Sequence, residues 1–259
     1  LENQMRLLRN LKTSLIGTVA AGLVISATAT AAPINVARVL DQGSAASQMF
    51  SSGDLTGTLT TLSASSFDAM TVSQLTSSFD AIVIGCCDST NINADWASRL
   101  LPYLNAGGGI VWENPYSTNL SKLAPAITAN GPTGPNGPWT ITTTVAGLTD
   151  GITNEFINNH IGITAFSSEF SVFLTGGSGS VQGLYGEFSG GGRMVLTGPD
   201  SFLHSSRGAA GASGNQYNLA LNSLNWVTSG SASVPEPASF AVLGLGLAGL
   251  CLTRRKRAA

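Results

Sequence analysis

The sequence predicts an α/β domain, a doubly wound and mostly parallel sheet flanked by helices. Three observations point there. Short β-branched apolar runs alternate with helix-period stretches along the middle of the chain. Those runs are nearly continuous rather than alternating, as suits strands covered on both faces. Finally, residues 33–230 make up 198 of the 259 residues, enough for one domain with a real core.

The first strand is expected at 34–40 (INVARVL), followed by a short helix at 44–50. A weaker, alternating strand is expected at 59–62 and another short helix at 73–78. Residues 80–85 (DAIVIG) form the next buried strand. Residues 95–104 carry Trp96, Leu100, Leu101 and Leu104 on one stripe, with Asn93 as N-cap and Gly107 beyond the end. Then come strands at 109–112 (GIVW) and 193–197 (RMVLT), and a closing helix over 215–227 with Leu219, Leu221, Leu224 and Trp226. Between them lie weaker strand candidates at 140–144, 172–174 and 182–188, after a Gly/Pro loop at 131–138 (GPTGPNGP). The topology of residues 126–190 is left open.

Composition narrows the function. Apolar residues are 43% of the chain, which excludes intrinsic disorder. Residues 33–230 hold 12 Asp and Glu against five Lys and Arg, a net charge of −7 that repels phosphates and argues against nucleic acid. The near-neutral total of −2 conceals basic ends around an acidic middle.

The ends read as addresses. Residues 1–4 precede Met5 and read as an extension ahead of the true start. From Met5 the order is Arg6, Arg9 and Lys12, an apolar run over 15–25, then Ala29-Thr30-Ala31. That is the layout of a secretory signal peptide over residues 1–32, with the cut placed after Ala31 so that Pro33 does not follow it directly. A linker at 229–233 (SGSAS), flexible by composition, leads to the tail, residues 234–259. There Pro235-Glu236-Pro237 precedes an uncharged run at 238–252 and the cations Arg254, Arg255, Lys256 and Arg257. Fifteen helical residues reach about 22 Å, short for a hydrocarbon core of about 30 Å. The cations hold that end cytoplasmic, and the prolines leave an extended segment outside the membrane.

This tail resembles the PEP-CTERM sorting signal. The resemblance implies a Gram-negative exporter, recognition by an exosortase-type enzyme and removal of the tail. It also implies anchoring through the C-terminal hydrophobic helix, at least transiently, then a cell-surface or extracellular-matrix destination. Exopolysaccharide or matrix proteins are the partners it suggests.

The middle resembles a second family. FDAIVIG at 79–85, LLPYLNAGGGIVW at 100–112, GRMVLTGPDSFLH at 192–204 and NLALNSLNWV at 218–227 are similar to the class I glutamine-amidotransferase-like, flavodoxin-like fold. The resemblance implies a catalytic Cys at a tight turn after a strand, activated by a His. Three departures stand against that activity. The strand at 109–112 runs into Glu113-Asn114-Pro115 without a thiol. Cys86-Cys87 replaces the Gly-Gly that shapes the family's oxyanion site. His204 is followed by Ser205-Ser206 instead of a Pro and a carboxylate.

Cys86 and Cys87 leave two readings open: a small apolar residue at a strand end, or a vicinal disulfide or nucleophile. Strand candidates also end in acid. Asp41, Asp88, Glu113 and Asp200 face a common crevice if their strands are neighbours, with Asn114 and His204 nearby. Such a candidate cleft suits a divalent cation such as calcium, or sugar hydroxyls. Equally, Asp and Asn favour loops and N-caps after strands. The expected role is a non-catalytic binding or structural domain of the envelope, needing no cofactor. The alternative is an exported, metal-assisted hydrolase using the acidic edge with His204.

Overall fold

A computed structural model describes residues 32–40, 43–86, 92–114, 117–130, 139–154, 161–176 and 179–230. The chain divides into the units Leu1–Ala32 and Pro33–Ala259, and every described helix and strand lies in the second. The expected leader, both apolar end segments and the 131–138 loop fall outside the described residues.

Strands β1 (Ile34–Val39), β2 (Gly57–Leu62), β3 (Ala81–Ile84), β4 (Gly109–Glu113) and β10 (Arg193–Thr197) are joined in the order β2-β1-β3-β4-β10, all parallel. Chain direction across the sheet reverses between β2 and β3, which puts the switch point at the β1/β3 edges. An antiparallel wing continues from β10: β9 (Val181–Glu187) pairs with β10, β8 (Phe170–Gly176) and β7 (Gly162–Phe166). Strand β5 (Ile127–Asn130) pairs with β7, and β6 (Trp139–Ile141) pairs with β8.

The period-2 alternation of each strand sorts its side chains onto two buried faces. Ala37, Val39, Ile82, Ile84, Ile110, Trp112, Met194 and Leu196 pack on one side with Phe67, Leu75, Leu100 and Tyr103. Val36, Ala81, Val83, Val111 and Val195 pack on the other with Met49, Leu219, Leu224 and Val227. Helices α2 (Ala64–Ala69), α3 (Val72–Ser78) and α4 (Leu101–Asn105) supply the first side. Helices α1 (Ala45–Ser51) and α6 (Gly211–Ser229) supply the second, while α5 (Ser117–Leu120) is a single turn before β5. This is the three-layer arrangement that the near-continuous apolar strands require.

Local chemistry sets the helix starts. Thr71 and Gln74 form a reciprocal capping box on α3, and Ser63 accepts from the Ser66 N–H at the start of α2. The expected cap at Asn93 is corrected. Asp95 is the cap, accepting from Ser98 N at 2.7 Å, while the Asn93 N–H donates to the Asp68 carboxylate at 2.9 Å. Helix α4 is preceded by a π-helical turn, Trp96–Leu100, in which Leu101 N–H reaches back to Trp96 O. Pro102 follows and has no N–H to offer a regular ladder, so the wide turn forms where the α pattern would already be broken.

Candidate functional site

Strand β4 is buried along all five residues, and its last side chain is Glu113. A wholly buried carboxylate is costly unless it accepts hydrogen bonds. Glu113 Oε2 accepts from the backbone N–H of Phe202 at 2.5 Å and lies 3.4 Å from Ser201 Oγ. It thereby ties the segment after β10 to the end of β4.

The chain then turns sharply. Asn114 has φ 39°, in the left-handed region where a side chain crowds the backbone and Asn is among the few tolerated residues. Its N–H donates to Thr197 O at 2.6 Å, which locks the turn to the end of β10. Its amide Nδ2 donates to Asp200 Oδ1 and, at 3.3 Å, to Cys86 Sγ at the end of β3. Its Oδ1 is buried without a hydrogen-bond partner among the described residues. Asp200 is fully buried, and its backbone oxygen accepts from Gln216 Nε2 of α6 at 3.1 Å. Asp200 Oδ2 faces His204 Nε2 at 3.5 Å, and the imidazole is 40% exposed.

Of the expected site residues, the fold therefore gathers Glu113, Asn114, Asp200 and His204 at the C-terminal ends of neighbouring strands β4 and β10. Glu113 and Asp200 are sealed inside and spent on internal hydrogen bonds, not displayed along an open crevice. Asp41 and Asp88 lie outside the described residues. Among the described residues no group of three His, Cys, Asp or Glu is placed to hold a metal ion. Cys86 is 1% exposed and disulfide-bonded, which corrects the nucleophile reading for that residue. The other two cysteines of the chain, Cys87 and Cys251, lie outside the described residues.

Sequence reading missed Ser201 and Gln216, which carry no motif and act through Glu113 and Asp200. It also missed a latch on the same segment. Arg207 donates through Nε and an η nitrogen to the two carboxylate oxygens of Asp54, at 2.6 and 2.9 Å. The Tyr217 hydroxyl adds a bond of 2.8 Å to Asp54. The Arg207 guanidinium holds the Asp54 carboxyl well below the usual carboxylate range. Burial, reinforced by the Asp54 carboxylate, pushes the Tyr217 hydroxyl up to about 12. Partners 153 and 163 residues apart leave no local trace in a sequence.

Comparison with known proteins agrees with both halves of this picture. Residues 233–257 match the PEP-CTERM protein-sorting motif. The chain thus carries a signal of the kind that exosortase-type enzymes recognise, supporting export and a cell-surface destination. Among solved structures, the fold is similar to a cytoplasmic protein from Salmonella typhimurium, with TM-score 0.52 and 14% identity over 75% of this chain and 98% of that one. It is also similar to a GMP synthase-type protein from Thermoplasma acidophilum, with TM-score 0.50 and 10% identity over 76% and 96%. The fold is amidotransferase-like. No curated protein is significantly similar to this chain. Among the described residues no helix is long and apolar enough to cross a membrane, and the expected C-terminal span lies outside them.

Proposed function

We propose that this protein is exported, sorted to the cell surface through its C-terminal signal, and acts there through a non-catalytic amidotransferase-like domain in a binding or structural role. One observation carries the non-catalytic part. The strained turn after β4, where the family resemblance implies a catalytic thiol, is occupied by Asn114, whose amide is spent on Asp200 and Cys86. An amide is no nucleophile for acyl transfer. Membrane attachment through residues 238–252, removal of the tail, and exopolysaccharide or matrix proteins as partners complete the reading.

The test is an amide-hydrolysis assay on the full chain with glutamine. No ammonia release above buffer is expected. Release that disappears in Asp200→Asn overturns the reading.

A second reading, an exported hydrolase, is favoured by the Asp200–His204 pair. A buried carboxylate beside a partly exposed imidazole can orient it as a general base toward water. A divalent cation held with the help of Asp41 and Asp88 belongs to this reading. It requires that Ca²⁺ or Mg²⁺ raise the melting temperature of the wild type, and that Asp41→Asn, Asp88→Asn and Asp200→Asn together abolish that rise.

A further inference from the structure

The parallel sheet has two ends, and the chain uses them differently. The β4–β10 cluster lies at the C-terminal ends of the strands. The last described residue, Gly230, from which the tail continues, lies at the opposite end, where Val36 of β1 stands in register with the first residues of β3, β4 and β10, Ala81, Gly109 and Arg193. Helix α6 closes there. Arg193 donates to Trp226 O at 3.1 Å and to Ser229 Oγ at 2.8 Å, and its guanidinium stacks 4.7 Å from the centre of the Trp226 ring. A side chain at Gly109 would strike Val227, and one at Gly191 would meet Gly230 O. The last helical turn is thus fixed against the starts of β4 and β10. Around this exit lie the exposed Ala106, at the end of α4, and the exposed Ser189, on the β9–β10 turn. The two turns are joined by the bond from Ser189 Oγ to Asn105 Oδ1 at 3.0 Å.

The sorting motif begins only three residues past that exit, and Pro235 follows Gly230 by five. Five residues span at most about 18 Å even when fully extended. A compact protein of about 200 residues has a radius of about 20 Å. Any enzyme that closes on Pro235-Glu236-Pro237 therefore works within its own radius of this rim.

We infer that the rim at the N-terminal ends of the parallel strands, around Ala106 and Ser189, is the surface against which the sorting enzyme sits. The β4–β10 end of the sheet, where the His204 imidazole is partly exposed, then faces away from that enzyme while the tail is being processed. This inference rests on the reading of the tail as a sorting signal.

The experiment follows tail removal and surface delivery of the full chain in cells that carry the sorting system. Ala106→Trp places bulk on the rim at an exposed position and is expected to slow processing several-fold. Ser189→Trp repeats the measurement on the neighbouring turn. Ser206→Trp, exposed at the opposite end of the sheet, is expected to be processed like the wild type. Inserting about twelve Gly/Ser residues after Gly230, about 40 Å when extended, is expected to restore processing of both rim variants. Wild-type processing of both rim variants overturns the inference. So does slowing that the insertion does not relieve, since the effect would then not be one of proximity. Arg254, Arg255 and Lys256 changed together to Ala report on the underlying reading: if that variant is processed and delivered normally, the sorting reading itself fails.

Discussion

The segment over residues 198–210 is held from two sides by anchors of opposite character. On the inside, Glu113 and Asn114 bind Phe202 N–H and Asp200, and Asp200 takes a further bond from Gln216, with Glu113, Asn114, Asp200 and Gln216 all closed to solvent. On the outside, Arg207 and Tyr217 grip Asp54, and the Arg207 side chain is 53% exposed. The inner set operates where hydrogen bonds are strong and missing partners expensive. In the outer set the Tyr217 ring is buried but the Arg207–Asp54 ion pair is open to water, where salt and side-chain entropy weaken it. The inner anchors thus determine where His204 sits, and the outer latch trims the far end of the segment.

The largest effect is expected from Glu113→Ala. It leaves the Phe202 N–H buried without an acceptor, a loss of about 1–3 kcal/mol, read as a lower denaturation midpoint. A variant as stable as the wild type would show that the inner anchor is dispensable.

Asn114 separates backbone from side-chain contributions. Asn114→Ala loses the amide bonds and also places a less tolerant residue at positive φ, whereas Asn114→Gly loses only the bonds. The glycine variant should be the more stable of the two by about 1 kcal/mol. Equal stabilities would mean that the turn relaxes when the amide is removed.

Arg207→Ala should lower the melting temperature by less than either inner variant, and the difference from wild type should shrink in concentrated salt. A difference that persists in salt would move the latch into the same class as the inner anchors.

The smallest effect is the pH dependence of the latch. Asp54 titrates below its ordinary 3.8 in the folded protein, so its contribution is complete above that value and is lost as the pH falls beneath it. Tyr217 is raised from 10.0 to about 12, so its contribution is complete below pH 10 and is lost as the pH climbs toward 12. In Arg207→Ala the acid limb should flatten, which pH-dependent melting curves of the two proteins would reveal.

Legibility in the sequence divided along the same line between local and long-range causes. The inner parallel strands β1, β3, β4 and β10 were readable because both faces of the sheet are covered there, so each is a nearly continuous apolar run, whereas the edge strand β2 is mostly exposed and alternates; β10 matched residue for residue at 193–197. The antiparallel wing was not. Strand β7 buries little beyond Ile163, and β5 is four residues long, so neither shows a clear period. Helix α2 was missed because six residues with two buried side chains make too short a stripe, although the Ser63 cap was a usable sign. In the site, the residue types at the strand ends stood out, but their burial did not. Nothing local distinguishes an Asp that lines a crevice from one that holds a loop.

The layered α/β core, the absence of a thiol after β4 and a sorting signal in the tail over 234–259 are legible in the chain alone, because each is written in neighbouring residues, and the motif match at 233–257 agrees with the last. Folding in three dimensions was needed to show that Glu113 and Asp200 turn inward, that Cys86 is disulfide-bonded, that Asp54 meets Arg207, and that α6 ends opposite the β4–β10 cluster. Those facts depend on which strands become neighbours. That is settled by closing contacts between residues tens to more than a hundred positions apart, which composition and periodicity do not encode.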